Sequence, residues 1–138
     1  MIASPTLLFR VGETMYGCDV ADAQEIVPLR RMTRLPGAPA CVRGLINMRG
    51  TIVTVLDLGV RVDPQRAPAR EGSILLVRHG ERLVGVVVDE VLDVRGLDIE
   101  AGDAATAGGA LVRGVASVDG GAVVILDLGA LITQVLLS

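Results

Sequence analysis

The chain has 138 residues, of which 51% are hydrophobic and only 21% charged, so it can bury a core and is not expected to be disordered. With one Phe, one Tyr and no Trp, it offers no aromatic platform for stacking nucleic-acid bases. One histidine and two cysteines exclude the common multi-ligand zinc motifs. A net charge of −3 argues against binding of polyanions by the surface as a whole.

The predicted elements are short strands separated by glycine turns. The first half reads as strands at 7–11 and 15–20 around Gly12-Glu13, one helical turn at 39–43, and a hairpin of 44–48 with 51–56 around Arg49-Gly50. The second half reads as strands at 73–77 and 82–88 around His79-Gly80, then 112–118 and 122–126 around residues 119–121, and a helix at 128–137. This pattern is typical of small all-β barrels.

The two halves are related by an internal repeat. Shifted by 68 positions, residues 8–13 align with 76–81, and Gly17 aligns with Gly85. Two residues are gained later, so Val42-Arg43-Gly44 aligns with Val112-Arg113-Gly114 and residues 53–59 with 123–129. We interpret this as a tandem duplication, with copies at 5–62 and 72–138 and a linker at 63–71. Each copy is too small for a large core, so the two are expected to pack across an apolar seam.

The halves differ in charge. Eight arginines and six acidic residues give residues 1–69 a net charge of +2, whereas five arginines and ten acidic residues give residues 70–138 a net charge of −5. Opposite charges on similar modules can orient partners during assembly. Divergence of two solvated surfaces is the alternative explanation.

The residue types that serve catalysis are not arranged for it. His79 falls in a predicted turn, away from any nucleophile. Cys18 and Cys41 lack CxxC spacing and are expected to be buried as small apolar residues. The acidic cluster Asp89, Glu90 and Asp93 could hold a hard cation but is more simply surface charge. We therefore predict no catalytic residue, no metal and no cofactor.

Four residues are predicted to have a structural role in turns. Asp57 and Asp127 each stand in the repeated Leu-Asp-Leu-Gly, where an Asp accepts hydrogen bonds from nearby backbone N–H groups. Gly50 and Gly120 supply positive φ in the two hairpins.

The hairpins differ in sequence where a partner could be recognised. The first reads Asn47-Met48-Arg49-Gly50 and the second Ser117-Val118-Asp119-Gly120, although a turn needs only Gly or Asx. Glu25, at the end of an earlier strand, could form a bidentate pair with Arg49. Such a pair is either an ordinary surface contact of about 0–1 kcal/mol or a device that shapes a binding groove. The pattern of residues leaves both interpretations open.

Several segments together resemble the CheW family of bacterial chemotaxis coupling proteins. They are Phe9-Arg10-Val11-Gly12, Tyr16-Gly17-Cys18-Asp19-Val20, Gln24-Glu25-Ile26, residues 35–39, 42–50 and 53–58, and residues 84–91. The resemblance follows the order of the chain over nearly its whole length. Its specific parts are the Asn-x-Arg-Gly hairpin and the Gly-x-Val-Val-Asp-x-Val strand.

The resemblance implies a single domain over 1–138 with two SH3-like, five-stranded β-barrels packed side by side and one or two short helices. It implies a non-enzymatic, cytoplasmic adaptor associated with receptor arrays, which joins the cytoplasmic hairpin tip of a chemoreceptor to the regulatory domain of the histidine kinase CheA. Contacts with other CheW-like barrels would build rings. Carried over by position, the receptor groove is formed by Glu25, Gly44, Asn47, Arg49, Val87, Val88 and Val91.

Some features leave alternatives open. The stretch 96–111 is short and rich in Ala and Gly, and Thr54 stands where many relatives have Pro, so a paralogue that binds receptor but not kinase is one alternative. A nucleic-acid-binding tandem barrel that uses Arg30, Arg31, Arg34 and Arg43 is another, although our leading interpretation includes no nucleic acid.

Residues 1–10 lack the pattern of a signal peptide, and no apolar run could span a bilayer, so we expect no membrane insertion. The sequence does not decide whether strands are exchanged between the two copies.

Overall fold

Ten strands and two short α-helices form the computed structural model, which describes residues 4–101 and 111–136. In the first half, the elements are β1 Ser4–Val11, β2 Thr14–Asp19, β3 Ala23–Pro28, β4 Val42–Met48, β5 Thr51–Asp57 and α1 Leu58–Val62. In the second half, they are β6 Ser73–His79, β7 Arg82–Val88, β8 Glu90–Leu97, β9 Val112–Val118, β10 Gly121–Leu126 and α2 Leu128–Leu136. Most of the 96–111 stretch lies outside the described residues.

Each of the two sheets takes strands from both halves of the sequence. One has the order β8-β1-β2-β10-β9 and the other β3-β6-β7-β5-β4. When every strand is replaced by its equivalent in the other half, one order becomes the other. Strand exchange, which the sequence left undecided, is therefore present. The predicted all-β fold with two five-stranded sheets is confirmed.

The sheets define two compact units. The central unit is Ala23–Glu90, and the terminal unit combines Met1–Asp22 with Val91–Ser138. The central unit is continuous in sequence although its strands come from both copies. Each unit contains two antiparallel hairpins joined by one parallel pair, which is β5 with β7 in the central unit and β10 with β2 in the terminal unit.

Each sheet is closed by a short bridge between its two ends. Beyond β3, Thr33 exchanges two backbone hydrogen bonds with Leu45 of β4, at 2.9 and 2.8 Å. Beyond β8, Glu100 does the same with Val115 of β9, both at 2.9 Å. The chain that follows one edge strand thus reaches the opposite edge, which closes each sheet into a barrel and reduces its exposed edge.

The repeated Val-Arg-Gly segment makes this closure possible. A Cβ atom at Gly44 would lie 2.4 Å from the carbonyl oxygen of Thr33, and one at Gly114 would lie 2.5 Å from that of Glu100. No other residue allows the bridging chain to approach so closely.

Both barrel cores are aliphatic, as the composition requires. The core of the central unit contains Ile46, Met48, Val53, Val55, Ala69, Ile74, Leu76 and Val87. The core of the terminal unit contains Leu8, Leu97, Ala116, Val118, Val123 and Ile125. The two aromatic residues, Phe9 and Tyr16, stack on each other in the terminal unit with ring centroids 6.1 Å apart.

The helices follow the prediction only in part. α2 lies where it was expected, but the helical turn at 39–43 was wrong. Here the Val42 N–H donates to the Pro39 carbonyl at 2.9 Å in a tight turn, and β4 then begins at once. α1 was missed because its five residues are too short for a helical pattern to show. His79 is the last residue of β6, paired with Arg82, and the turn itself is Gly80-Glu81.

Candidate functional site

Glu25 on β3 and Arg49 on the β4–β5 turn form a bidentate ion pair at the surface of the central unit. Arg49 donates from Nη1 to Glu25 Oε2 at 3.3 Å and from Nη2 to Oε1 at 2.5 Å. The Arg49 side chain remains 70% exposed and the Glu25 side chain 40%. The hydrogen bond from Arg49 lowers the pKa of Glu25, and the carboxylate in turn raises the pKa of Arg49.

The backbone at Arg49 does not explain why an arginine stands there. Arg49 has φ +51° and Gly50 has φ +90°, the signs of the two central residues in a type I′ hairpin turn. A side chain other than Gly, Asn or Asp in this region costs about 1 kcal/mol or more. The equivalent turn carries Asp119 at the same φ, which is a better backbone choice. The guanidinium of Arg49 must therefore contribute something that the turn does not need.

Two further residues hold the end of this hairpin in place. Asn47 accepts at Oδ1 from the Gly50 N–H at 2.8 Å, so its side chain serves the turn. Arg30 donates from Nη2 to the Asn47 carbonyl at 2.6 Å and ties the segment after β3 to β4. Sequence reasoning placed Asn47 at the site but did not identify Arg30, which was considered only as a nucleic-acid contact.

The other predicted groove residues are buried or half-buried. Val87 and Val88 are each 1% exposed, and Val87 belongs to the core of the central unit. Both are buried because β7 lies in the middle of its sheet and α1 packs against it. Gly44 is buried at the barrel closure, and Val91, half-buried in β8, belongs to the terminal unit. The assignment of these four positions to a receptor groove stays a prediction, whereas Glu25, Asn47 and Arg49 lie close together on the central unit.

A cavity of about 250 Å³ opens beside the ion pair. It is lined by Gln24, Glu25, Met48, Arg49, Thr51, Leu76, Arg78 and Leu83, all from the central unit. The lining combines charged side chains with the apolar Met48, Leu76 and Leu83. Such a surface suits a protein contact in which aliphatic side chains supply affinity and a polar rim sets the register.

The predicted linker is anchored by a second set of charges that sequence reasoning did not find. Asp57 caps α1 by accepting from the Val60 N–H at 3.2 Å, and it also accepts from the Ala69 N–H and from Arg43 Nη1, both at 3.1 Å. Arg66 donates to both oxygens of Asp89, at 2.7 and 2.8 Å. Arg43 and Asp89 thus take part in ion pairs with Asp57 and Arg66.

Asp127 repeats the capping role of Asp57 in the terminal unit, where it accepts from the Ala130 N–H at 3.0 Å. Gly120 has φ +83°, the counterpart of Gly50.

Both cysteines are buried thiols. Burial raises the pKa of Cys18 to about 12 and also raises the pKa of Cys41, so both remain neutral at ordinary pH. Among residues 4–101 and 111–136, no three His, Cys, Asp or Glu side chains are grouped so that they could hold a metal ion. In the same part of the chain, no helix has the length and hydropathy to cross a membrane.

The fold as a whole is that of a known scaffold. It matches the crystal structure of the scaffolding protein TtCheW from Thermoanaerobacter tengcongensis with a TM-score of 0.84 and 30% sequence identity. The match covers 94% of this chain and 92% of the other. Residues 5–136 also match the family model of the CheW-like domain, and the chain belongs to that family.

Relatives in bacteria carry the same family name. The chemotaxis protein CheW of Klebsiella aerogenes is 38% identical over 95 residues, which are 68% of this chain and 57% of that protein. The chemotaxis protein CheW of Thermotoga maritima is 26% identical over 136 residues, covering 94% of this chain and 87% of the other. The matched segment thus spans little more than half the length of the Klebsiella protein.

Proposed function

We propose that this chain is a non-enzymatic scaffold that couples a chemoreceptor to the histidine kinase CheA in bacterial chemosensory signalling. Its membership of the CheW-like family supports the proposal most directly. The surface of the central unit supports the proposal as well, because Glu25 and Arg49 form an exposed pair beside a cavity. We place the scaffold in the cytoplasm, at the receptor tips, where neighbouring CheW-like barrels can join it in rings.

The receptor contact is proposed for the part of the central unit that carries Glu25, Asn47 and Arg49. A receptor's helical hairpin would lay an apolar stripe against this surface and set its register by the charged rim. The kinase contact is proposed for the barrel ends of this chain. They would meet the regulatory domain of CheA, which has the same fold.

Binding to each partner separately tests this function. The chain should capture a receptor cytoplasmic hairpin and, in another experiment, the CheA regulatory domain at micromolar concentration. Replacing Arg49 with Ala should weaken receptor binding about tenfold, since it removes both hydrogen bonds to Glu25. Arg70→Ala, an exposed arginine on the linker, is the matched control and should bind as before.

Two results would reject parts of the proposal. Absence of receptor binding would reject the adaptor function, and normal binding by Arg49→Ala would reject this site. Binding of receptor without kinase would instead favour the receptor-only paralogue.

A further inference from the structure

In the central unit, an arginine side chain crosses the gap between the two edge strands of the barrel. Arg30 follows β3 and donates from Nη2 to the Asn47 carbonyl of β4 at 2.6 Å. The backbone bridge from Thr33 to Leu45 closes the same gap a few residues further on. A guanidinium thus pairs with a backbone acceptor on the free side of an edge strand.

The terminal unit has an acid where the central unit has this arginine. Shifted by 68 positions, Leu29-Arg30 aligns with Leu97-Asp98, and each leucine packs on the core of its own unit. Ser117 matches Asn47, because the two have equivalent pairing positions in their hairpins. A carboxylate only accepts hydrogen bonds, so Asp98 cannot give the Ser117 carbonyl the bond that Arg30 gives its equivalent.

The Ser117 carbonyl faces the gap between β8 and β9. The N–H and C=O of Val115 both point into this gap, where they bond to Glu100 at 2.9 Å. Backbone groups two residues apart on a strand point the same way, so those of Ser117 face the gap as well. In the part of the chain that the structure describes, the Glu100–Val115 bridge is the only backbone contact across it. The Ser117 carbonyl is therefore available to a donor from another molecule.

Small side chains leave this gap open as a groove. Three of its residues are smaller than their equivalents in the central unit: Gly96, Ala116 and Ala122 replace Pro28, Ile46 and Ile52. Together with Asp98, Glu100 and Ser117 they line a cavity of about 590 Å³, here called the terminal groove. A cavity of this size is in the range of ligand pockets and has room for an arginine side chain.

The charges of the terminal unit favour a cationic ligand. Asp98 and Glu100 make no ion pair within residues 4–101 and 111–136, whereas Arg95 is paired with Asp119. Three arginines and nine acidic residues give the terminal unit a net charge of −6, and ten arginines and seven acidic residues give the central unit +3. Such a charge attracts a basic segment and repels the α-carboxylate of a free amino acid.

We propose that the terminal groove binds an arginine side chain from a basic segment of a partner protein. The guanidinium donates to the Ser117 carbonyl and to the Asp98 carboxylate, with Glu100 as a second acidic neighbour. Ala122 contacts the alkyl stem. The planar guanidinium can donate to a carbonyl and a carboxylate at the same time, a geometry that the compact ammonium of lysine does not match.

Fluorescence anisotropy of a short labelled peptide tests the site with the whole purified chain. A peptide of alternating arginine and serine should bind at micromolar concentration, and binding should weaken as NaCl increases. The same peptide with lysine in place of arginine should bind at least about fivefold more weakly. Neither receptor nor kinase is present, so failure here can be told apart from failure of the proposed coupling.

Substitutions of Asp98 separate the groove from the overall charge. Asp98→Arg introduces the residue that the central unit has at this position, so the chain should fill its own groove and lose peptide binding. Asp93→Arg gives the same net charge at an exposed position on β8 outside the groove. It should bind the peptide at least about tenfold more tightly than Asp98→Arg.

A change of shape without a change of charge tests the groove independently. Ala122→Leu narrows the cavity and should weaken peptide binding about tenfold. Ala21→Leu, at an exposed alanine of the terminal unit outside the groove, is the matched control and should bind as before.

The proposal is overturned if the arginine peptide does not bind, if the lysine peptide binds equally well, or if Asp98→Arg and Asp93→Arg bind alike. Agmatine, an alkylguanidinium without a carboxylate, should displace the peptide only at much higher concentration. Equal potency of agmatine would identify a small molecule as the ligand and overturn the assignment to a protein segment. Self-association of the chain that Asp98→Arg abolishes would identify a second copy as the occupant and overturn it likewise.

Discussion

The Glu25–Arg49 pair shows what individual residues contribute to the candidate site. Two hydrogen bonds fix the planes of the carboxylate and the guanidinium against each other, yet both side chains remain largely open to solvent. Such a pair adds little to stability but presents a defined arrangement of charge. The unfavourable φ of Arg49 supports the same interpretation, because the turn alone would prefer Asn, Asp or Gly.

The pKa of Glu25 provides a test of this contact in solution. Arg49 lowers it below its ordinary value of 4.5 by hydrogen bonding to the ionised form. The contribution of the pair is therefore complete above the ordinary pKa and is lost as the pH falls through the lowered one. NMR titration of the Glu25 carboxyl carbon should show the lowered pKa, and Arg49→Ala should return it towards 4.5. An unchanged titration in that variant would contradict the pairing, and Arg70→Ala serves as the control.

Among the structural elements, the bridges that close the barrels depend on one glycine each. Gly44 and Gly114 admit the carbonyl oxygens of Thr33 and Glu100 at positions that a Cβ atom would occupy. Because the bridges follow the edge strands β3 and β8, these glycines also determine where the chain leaves each sheet. The alignment of the two Val-Arg-Gly segments marked both positions, although it did not reveal their role.

Glycine substitutions should separate steric conflict from backbone strain. Gly44→Ala places a Cβ atom against backbone at φ +146° and should reduce the free energy of unfolding by about 2–4 kcal/mol. In Gly50→Ala the new Cβ atom would meet no atom within 4 Å, and only the φ of +90° is unfavourable. The free energy of unfolding should therefore fall by about 1 kcal/mol. Gly121→Ala, with its nearest contact at 3.5 Å, should change stability by less than about 0.5 kcal/mol.

Urea denaturation of the three variants measures these differences. Equal losses for Gly44→Ala and Gly50→Ala would show that the close approach to Thr33 does not control stability.

For the molecule as a whole, the exchange of strands determines which segment of the chain contains a complete sheet. The central unit, Ala23–Glu90, contains all five strands of its sheet, whereas the first half of the sequence lacks β6 and β7. Those two strands pair with each other and with β3 and β5, so without them β3 loses its neighbouring strand and β5 keeps β4 but loses β7. The repeat in the sequence is therefore not the unit of folding.

Fragments of the chain test this distinction. A fragment of residues 23–90 should unfold cooperatively in urea, as followed by circular dichroism, whereas one of residues 1–69 should show no cooperative transition. The two have almost the same length, so size cannot account for a difference. A cooperative transition in 1–69 alone would mean that β1–β5 can form a stable sheet without exchange.

The sequence did not predict strands β3 and β8, and it left the role of the Glu25–Arg49 pair open. By itself it determined the other eight strands, the hairpin turns and the repeat. These features are local, or recur at a constant spacing, and therefore leave a direct pattern of glycines and alternating apolar residues. Only the tertiary structure decided which copy contributes each strand, that Val87 and Val88 are buried, and that Arg43, Asp57 and Arg66 anchor the linker. Those outcomes depend on which surfaces cover one another, and a buried strand has the same local pattern whichever sheet it joins.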